Sequence, residues 1–106
     1  MKRVASVIGV GADDIEEYER HHREVWPGVL AQLTRGNIRN YSIYRFGETL
    51  LAYFEYTGDD YEADMALIAA DPETQRWWSV VNPLQRPFDG LPPGRWTELP
   101  ELFHHD

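Results

Sequence analysis

The segment from residue 37 to residue 56 constrains the fold of this chain more than any other. Side chains alternate over 37–46, with Ile38, Asn40, Ser42, Tyr44 and Phe46 on one face and Arg39, Tyr41 and Ile43 on the other. Gly47-Glu48 supplies a turn, and residues 49–56, Thr-Leu-Leu-Ala-Tyr-Phe-Glu-Tyr, return along a second run of strand-forming side chains. A period-two pattern reversed at a glycine predicts an antiparallel hairpin.

The flanking segments add a strand before the hairpin and helices on either side of it. Residues 3–10 read as a strand with Val4, Ser6, Ile8 and Val10 on one face. Asp13 followed by Glu16 predicts a capping-box start to a helix from about Asp14 to Thr34, stopped at Gly36. Pro27 lies inside that span and removes a backbone donor, so a kink or break is expected near Trp26. Asp59 and Glu62 repeat the capping signature for a helix over 60–70. Asp71-Pro72-Glu73 opens another helix, with Asp at the cap and Pro at the first helical position; it carries Trp77 and Trp78 and ends before Pro83. Residues 84–94, with Pro87, Gly90, Pro92, Pro93 and Gly94, read as a surface loop. Arg95 to Leu102 forms a last strand weakened by Pro100.

This order, β-α-β-β-α-(α)-β, is that of a ferredoxin-like split βαβ, an α+β fold, and the 106 residues make one domain. Helices on one face of such a sheet leave the other face uncovered. Tyr41, Ile43, Tyr53 or their alternates would lie there, and covering them with a second copy predicts a face-to-face homodimer.

Composition narrows the function. The formal net charge is -8, which makes nucleic acid and anionic membranes poor partners, because phosphate binding needs clustered Lys and Arg. A neutral small molecule is compatible with it. The absence of cysteine excludes disulfides, thiolate nucleophiles and Cys-based metal sites. The apolar run Val4–Ile8 is interrupted by Gly9 and Gly11 and meets Asp13-Asp14, too short for a signal peptide, and no stretch reaches the length of a membrane span. The expected location is the cytoplasm.

One line of residues then points to chemistry. Tyr18, His22 and Trp26 recur every four residues, which puts a phenol, an imidazole and an indole on one side of a helix. Ile15, Val25, Val29, Leu30 and Leu33 surround them at the spacings of an apolar helix face. An isolated histidine there is ordinarily a core residue bonded to a neighbour. Tyr18 one turn earlier shifts the reading toward an acid–base group in a sheltered place. His21 points about 100° away around the helix and is expected to be exposed. The adjacent pair His21-His22 cannot share a helical face as zinc ligands do, so no metal site is expected. Trp77-Trp78 are either core or a platform for the apolar face of a pyranose ring. Tyr41 is either a cross-strand packing residue or a binding phenol, and Glu55 is expected to face solvent.

Taken in order, Tyr18-x3-His22-x3-Trp26-Pro27, Asn40-Tyr41-Ser42-Ile43-Tyr44, Ala52-Tyr53-Phe54-Glu55 and Asp71-x3-Gln75-Arg76-Trp77-Trp78 resemble the L-rhamnose mutarotases, with Trp96, Leu99 and Leu102-Phe103-His104 continuing the likeness. Arg23-Glu24 and Gly28 depart from the family pattern. The resemblance implies a dimeric α/β barrel of ferredoxin-like units. It also implies interconversion of the α and β anomers of a deoxy monosaccharide, an isomerase reaction without cofactor or metal. It makes His22 the proton donor, Tyr18 and Tyr41 sugar-binding residues, and Trp77 and Trp78 walls of the pocket. The same fold class also hosts small-molecule binding domains and haem or cofactor-free monooxygenases, which fold alone does not separate.

Overall fold

Every strand of the chain joins one antiparallel sheet, and the helices pack on a single face of it. The computed structural model describes residues 1–106. In chain order the elements are β1 (Lys2–Val10), α1 (Ile15–His22), α2 (Pro27–Arg35), β2 (Ile38–Phe46), β3 (Thr49–Tyr56), α3 (Tyr61–Ala70), α4 (Pro72–Val81), β4 (Gln85–Arg86) and β5 (Thr97–Leu99). The sheet runs β2-β3-β1-β4, with β5 also paired to β1. This is the strand order of the split βαβ that the sequence predicts.

The expected helix from Asp14 to Thr34 is two helices. α1 ends at His22, and α2 begins at Pro27, which occupies its first turn. Trp26 between them is extended, at φ -63° and ψ 135°, because the proline ring disfavours the α conformation for the residue before it. The Asp13–Glu16 capping box does not form. Residues 12–14 make a 3-10 turn instead, and the Asp14 carboxylate accepts from Arg86 at 3.1 Å. The cap of α3 is Asp60, one residue later than predicted, and its side chain accepts from the Ala63 amide at 3.1 Å. Asp71 caps α4 as expected, accepting from the Thr74 amide at 2.9 Å.

Two corrections to the strand reading matter for function. The predicted loop over 84–94 contains β4, in which Gln85 pairs with Val10 and Arg86 with Gly9. Gly9 permits that pairing, since a Cβ there would stand 2.5 Å from the Arg86 carbonyl oxygen, closer than any side chain tolerates. The second correction is a bulge in β2: Arg39 pairs with Glu55 and Ser42 with Tyr53, so Asn40 and Tyr41 together oppose Phe54. The extra residue reverses the alternation beyond it. Tyr41 and Ile43 therefore share the helix-facing side with Ile38, and do not lie on the uncovered face.

The helix-facing side holds the core. Ile8, Val10, Leu50 and Leu84 pack with Tyr18, Val29, Trp77 and Val81 from the helices, and a smaller cluster joins Ile38, Tyr56 and Ile68. On the uncovered face Tyr44, Phe46, Leu51 and Leu99 are exposed, Phe46 by 83%.

Candidate active site

The break between α1 and α2 lets the two helices diverge, and α4 packs nearby so that Trp77 meets both. The Trp77 ring lies edge-on to His22 at 5.2 Å between centroids and edge-on to Trp26 at 5.3 Å. His22, in the last turn of α1, stacks on Tyr18 one turn earlier, at 4.2 Å and 22° between ring planes. The line 18–22–26 thus becomes an aromatic cluster closed by α4.

The histidine is oriented by its own helix. Nδ1 lies 2.8 Å from the Tyr18 carbonyl oxygen, which can only accept, so Nδ1 carries the hydrogen and donates it. The tautomer is set, and Nε2 has no protein partner. Burial holds the pKa of His22 below the ordinary imidazole value; the carbonyl bond opposes that shift and the neighbouring His21 adds to it. The ring is therefore mainly neutral at pH 7, with a lone pair on Nε2.

His22 lines a cavity of about 340 Å³ between sheet and helices. Tyr18, Tyr41, Trp77 and Trp78 line the same cavity, so the fold brings all five predicted site residues together. They play different structural parts. Trp77 is 5% exposed and belongs to the core, whereas Trp78 is 37% exposed. Adjacent residues on a helix point about 100° apart, so the two indoles take different directions. One cavity still touches both. Tyr41 packs on Phe54 at 5.5 Å between centroids. It keeps 40% of its surface exposed, yet desolvation pushes its phenol up to about 12, with Tyr18 and Tyr61 adding to the shift. Burial also raises Tyr18, against a lowering hydrogen bond from Gln85. Both phenols stay protonated across the neutral range.

Gln85 is the residue that sequence reasoning missed. It is 5% exposed, lines the cavity, and donates through Nε2 to the Tyr18 hydroxyl at 3.2 Å. Its Oε1 is a buried oxygen with no hydrogen-bond partner, and buried polar atoms rarely stay unpaired. The one signal in the sequence is a polar residue beside Leu84 and Pro83 in a segment that reads as loop. It points nowhere until β4 forms. Trp96 and Glu98 complete the wall from the β5 side.

Glu55 lies, as expected, on the uncovered, solvent-facing side of the sheet, where it is also bonded to its neighbours. Asn40 Nδ2 donates to its Oε1 at 2.7 Å and the Tyr53 hydroxyl to its Oε2 at 2.8 Å. His21 is half-buried, 3.5 Å from Glu17 and edge-on to Trp77 at 6.3 Å. No three His, Asp or Glu side chains converge as a ligand set, and no helix is long and apolar enough to cross a membrane.

The same arrangement of sequence and fold recurs in known proteins. A family model described as L-rhamnose mutarotase matches residues 3–105. The L-rhamnose mutarotase of Oceanobacillus iheyensis is 32% identical and that of Opitutus terrae 36% identical, each over the full length of both chains. The L-fucose mutarotase of Xanthomonas campestris is 36% identical, over 97% of this chain and 87% of its own. A crystal structure of L-rhamnose mutarotase from Formosa agariphila superposes with a TM-score of 0.80 over all of both chains at 20% identity, which speaks for the fold. Among the activities that the fold class left open, the match over nearly the whole sequence selects one: this chain belongs to the L-rhamnose mutarotase family.

Proposed function

We propose that this protein interconverts the α and β anomers of L-rhamnose by opening and reclosing the hemiacetal ring at His22. The observation that carries the reading is the His22 ring itself, pinned through Nδ1 and lining the cavity with Nε2 unpaired. Opening breaks the bond between the anomeric carbon and the ring oxygen, removes the anomeric hydroxyl proton, and delivers a proton to the ring oxygen. Closure on the other face reverses each transfer. Electrons and protons balance within the sugar, so the step calls for no oxidant, metal or cofactor.

His22 starts neutral, takes the proton at Nε2, and as imidazolium becomes the proton donor. Burial disfavours the cation, which makes that donor a stronger acid than an exposed histidine. Tyr18 and Tyr41 bind sugar hydroxyls as protonated phenols. Trp78 lies against a C–H face of the ring, and Trp77 forms the floor and holds His22. A positioned acid–base group contributes on the order of 10²–10⁴ in rate, which suits a reaction that already proceeds in water.

The test is NMR saturation transfer between the anomers of L-rhamnose, L-fucose and D-galactose. L-rhamnose should exchange fastest, and His22→Ala should abolish the acceleration. Equal rates with and without protein for all three sugars would defeat the reading. Fastest exchange of L-fucose would move the substrate to the other sugar for which a relative is named.

The 106 residues act as one domain, in the cytoplasm, and pair into a homodimer through the uncovered sheet face. Support for the dimer comes from the exposed Tyr44, Phe46 and Leu51 on that face; apolar surface gathered on one sheet face ordinarily meets a partner. Sedimentation showing only monomer at micromolar concentration would overturn it.

A further inference from the structure

Tyr41 reaches the cavity only because β2 breaks its own alternation. Ile38 and Tyr41 are three residues apart, a spacing that puts two side chains on opposite faces of an unbroken strand. The break is made at Asn40, whose φ is 51°. A left-handed residue at the first position of a bulge is ordinarily glycine, and asparagine is among the few others that accept the conformation. Here the asparagine side chain is also tied down. Its Nδ2 donates to Glu55 Oε1 at 2.7 Å, and Tyr53 braces the other carboxylate oxygen at 2.8 Å. These bonds, the one from Asn40 first, hold the Glu55 carboxyl below the usual carboxylate range. The tie lies on the uncovered face of the sheet, while Tyr41 lies on the helix face against Phe54.

We infer that Asn40 is a positioning residue for Tyr41: held left-handed and anchored to Glu55, it turns the Tyr41 phenol through the sheet into the sugar cavity without touching the sugar. The inference rests on the reading of Tyr41 as a sugar-binding residue. It extends the machinery of the site to Asn40, Glu55 and Tyr53, none of which lines the cavity.

Anomer exchange of L-rhamnose in four variants tests it. Asn40→Gly keeps access to positive φ and should stay within about threefold of wild type in kcat/KM. Asn40→Val puts a β-branched residue where only a small set of residues is comfortable, and should lose about tenfold or more, mostly through KM. Tyr41→Ala should lose about as much as Asn40→Val, and the double variant Tyr41→Ala/Asn40→Val should match Tyr41→Ala within about twofold, because coupled residues are not additive. A general loss of structure would instead multiply the two effects. Should circular dichroism show Asn40→Val unfolded, Asn40→Ala, whose Cβ also disfavours the positive φ, takes its place with the same two outcomes. An intact rate in Asn40→Val, or a double variant that loses the full product, overturns the inference and leaves the site reading standing. An intact rate in Tyr41→Ala removes the reading of Tyr41, and the inference with it.

Discussion

Tyr18 and Tyr56 are equally buried, each 3% exposed, and are used in opposite ways. The Tyr56 hydroxyl donates to Asp64, accepts from the Asp60 amide at 3.0 Å, and sits in a network that Asn37 completes by donating to the same carboxylate oxygen at 3.0 Å. Burial raises the Tyr56 phenol to about 12, with the Asp64 bond adding to it. The Tyr18 hydroxyl has Gln85 as its one partner and accepts that bond, so its own proton has no protein acceptor. The His22 ring stacked on Tyr18 keeps Nε2 unpaired, and Gln85, the partner of the hydroxyl, keeps Oε1 unpaired. A satisfied network rigidifies; a cluster that keeps unspent donors and acceptors beside a cavity is equipped to take a hydroxylated ligand. The difference separates the structural end of this sheet from its chemical end.

That contrast is sharpened most by His22→Ala. Its expected effect is the loss of about 10²–10⁴ in the catalysed anomer exchange, with a melting temperature close to wild type. A protein that melts far earlier, with activity reduced only in proportion, would make His22 structural. The tyrosines themselves come next. Tyr18→Phe should lower kcat/KM on the order of tenfold at a smaller cost in stability than Tyr56→Phe, because the phenylalanine ring still stacks on His22 and the change strands one neutral donor, Gln85 Nε2. Tyr56→Phe should do the reverse. It takes from Asp64 one of its two donors and strands the Asp60 amide, so the melting temperature should fall by roughly 5 °C or more while kcat per folded molecule is kept. Identical profiles for the two variants would erase the distinction.

Gly9→Ala probes how Gln85 is delivered to the chemical end. The added methyl collides with the Arg86 carbonyl and pushes β4 from β1, at a cost of about 1–3 kcal/mol by denaturant unfolding, together with a weakened grip on the sugar. The smallest effect near neutrality is the pH dependence. In the proposed cycle His22 starts neutral, and its pKa lies below the ordinary imidazole value. After subtraction of the uncatalysed rate, kcat/KM should therefore be level through and above neutral pH and fall only as acid protonates Nε2. Folding follows the same sign: with the folded pKa depressed, the contribution of His22 is present above the unfolded pKa and lost as pH falls through the folded one. A rate that instead rises on acidification would mean the imidazolium starts the reaction.

Much of the site is legible in the amino-acid order alone. Tyr18 and His22 stand one helical turn apart on an apolar face, a local relation that periodicity exposes. Trp77, Trp78 and Tyr41 become legible through their likeness to a family, because their convergence on one cavity depends on α4 and β2 packing from opposite sides. Gln85 is invisible: two residues of strand carry no periodicity, and their pairing depends on the missing side chain at Gly9. The bulge at Asn40 is invisible for a related reason. An alternating pattern reads the same whether or not one extra residue is inserted, until the partner strand sets the register.

The sequence by itself determined the order of the elements apart from β4, since turns, the Asp71 cap, the Pro27 break and strand alternation are local interactions among near neighbours. Only the tertiary structure decided which face each strand residue takes past residue 40, where Gln85 sits, and which of two equally buried tyrosines keeps a free proton. Those outcomes depend on contacts between residues far apart in the chain, from Asn40 with Glu55 to Tyr18 with Gln85, and such pairings leave no trace in local pattern.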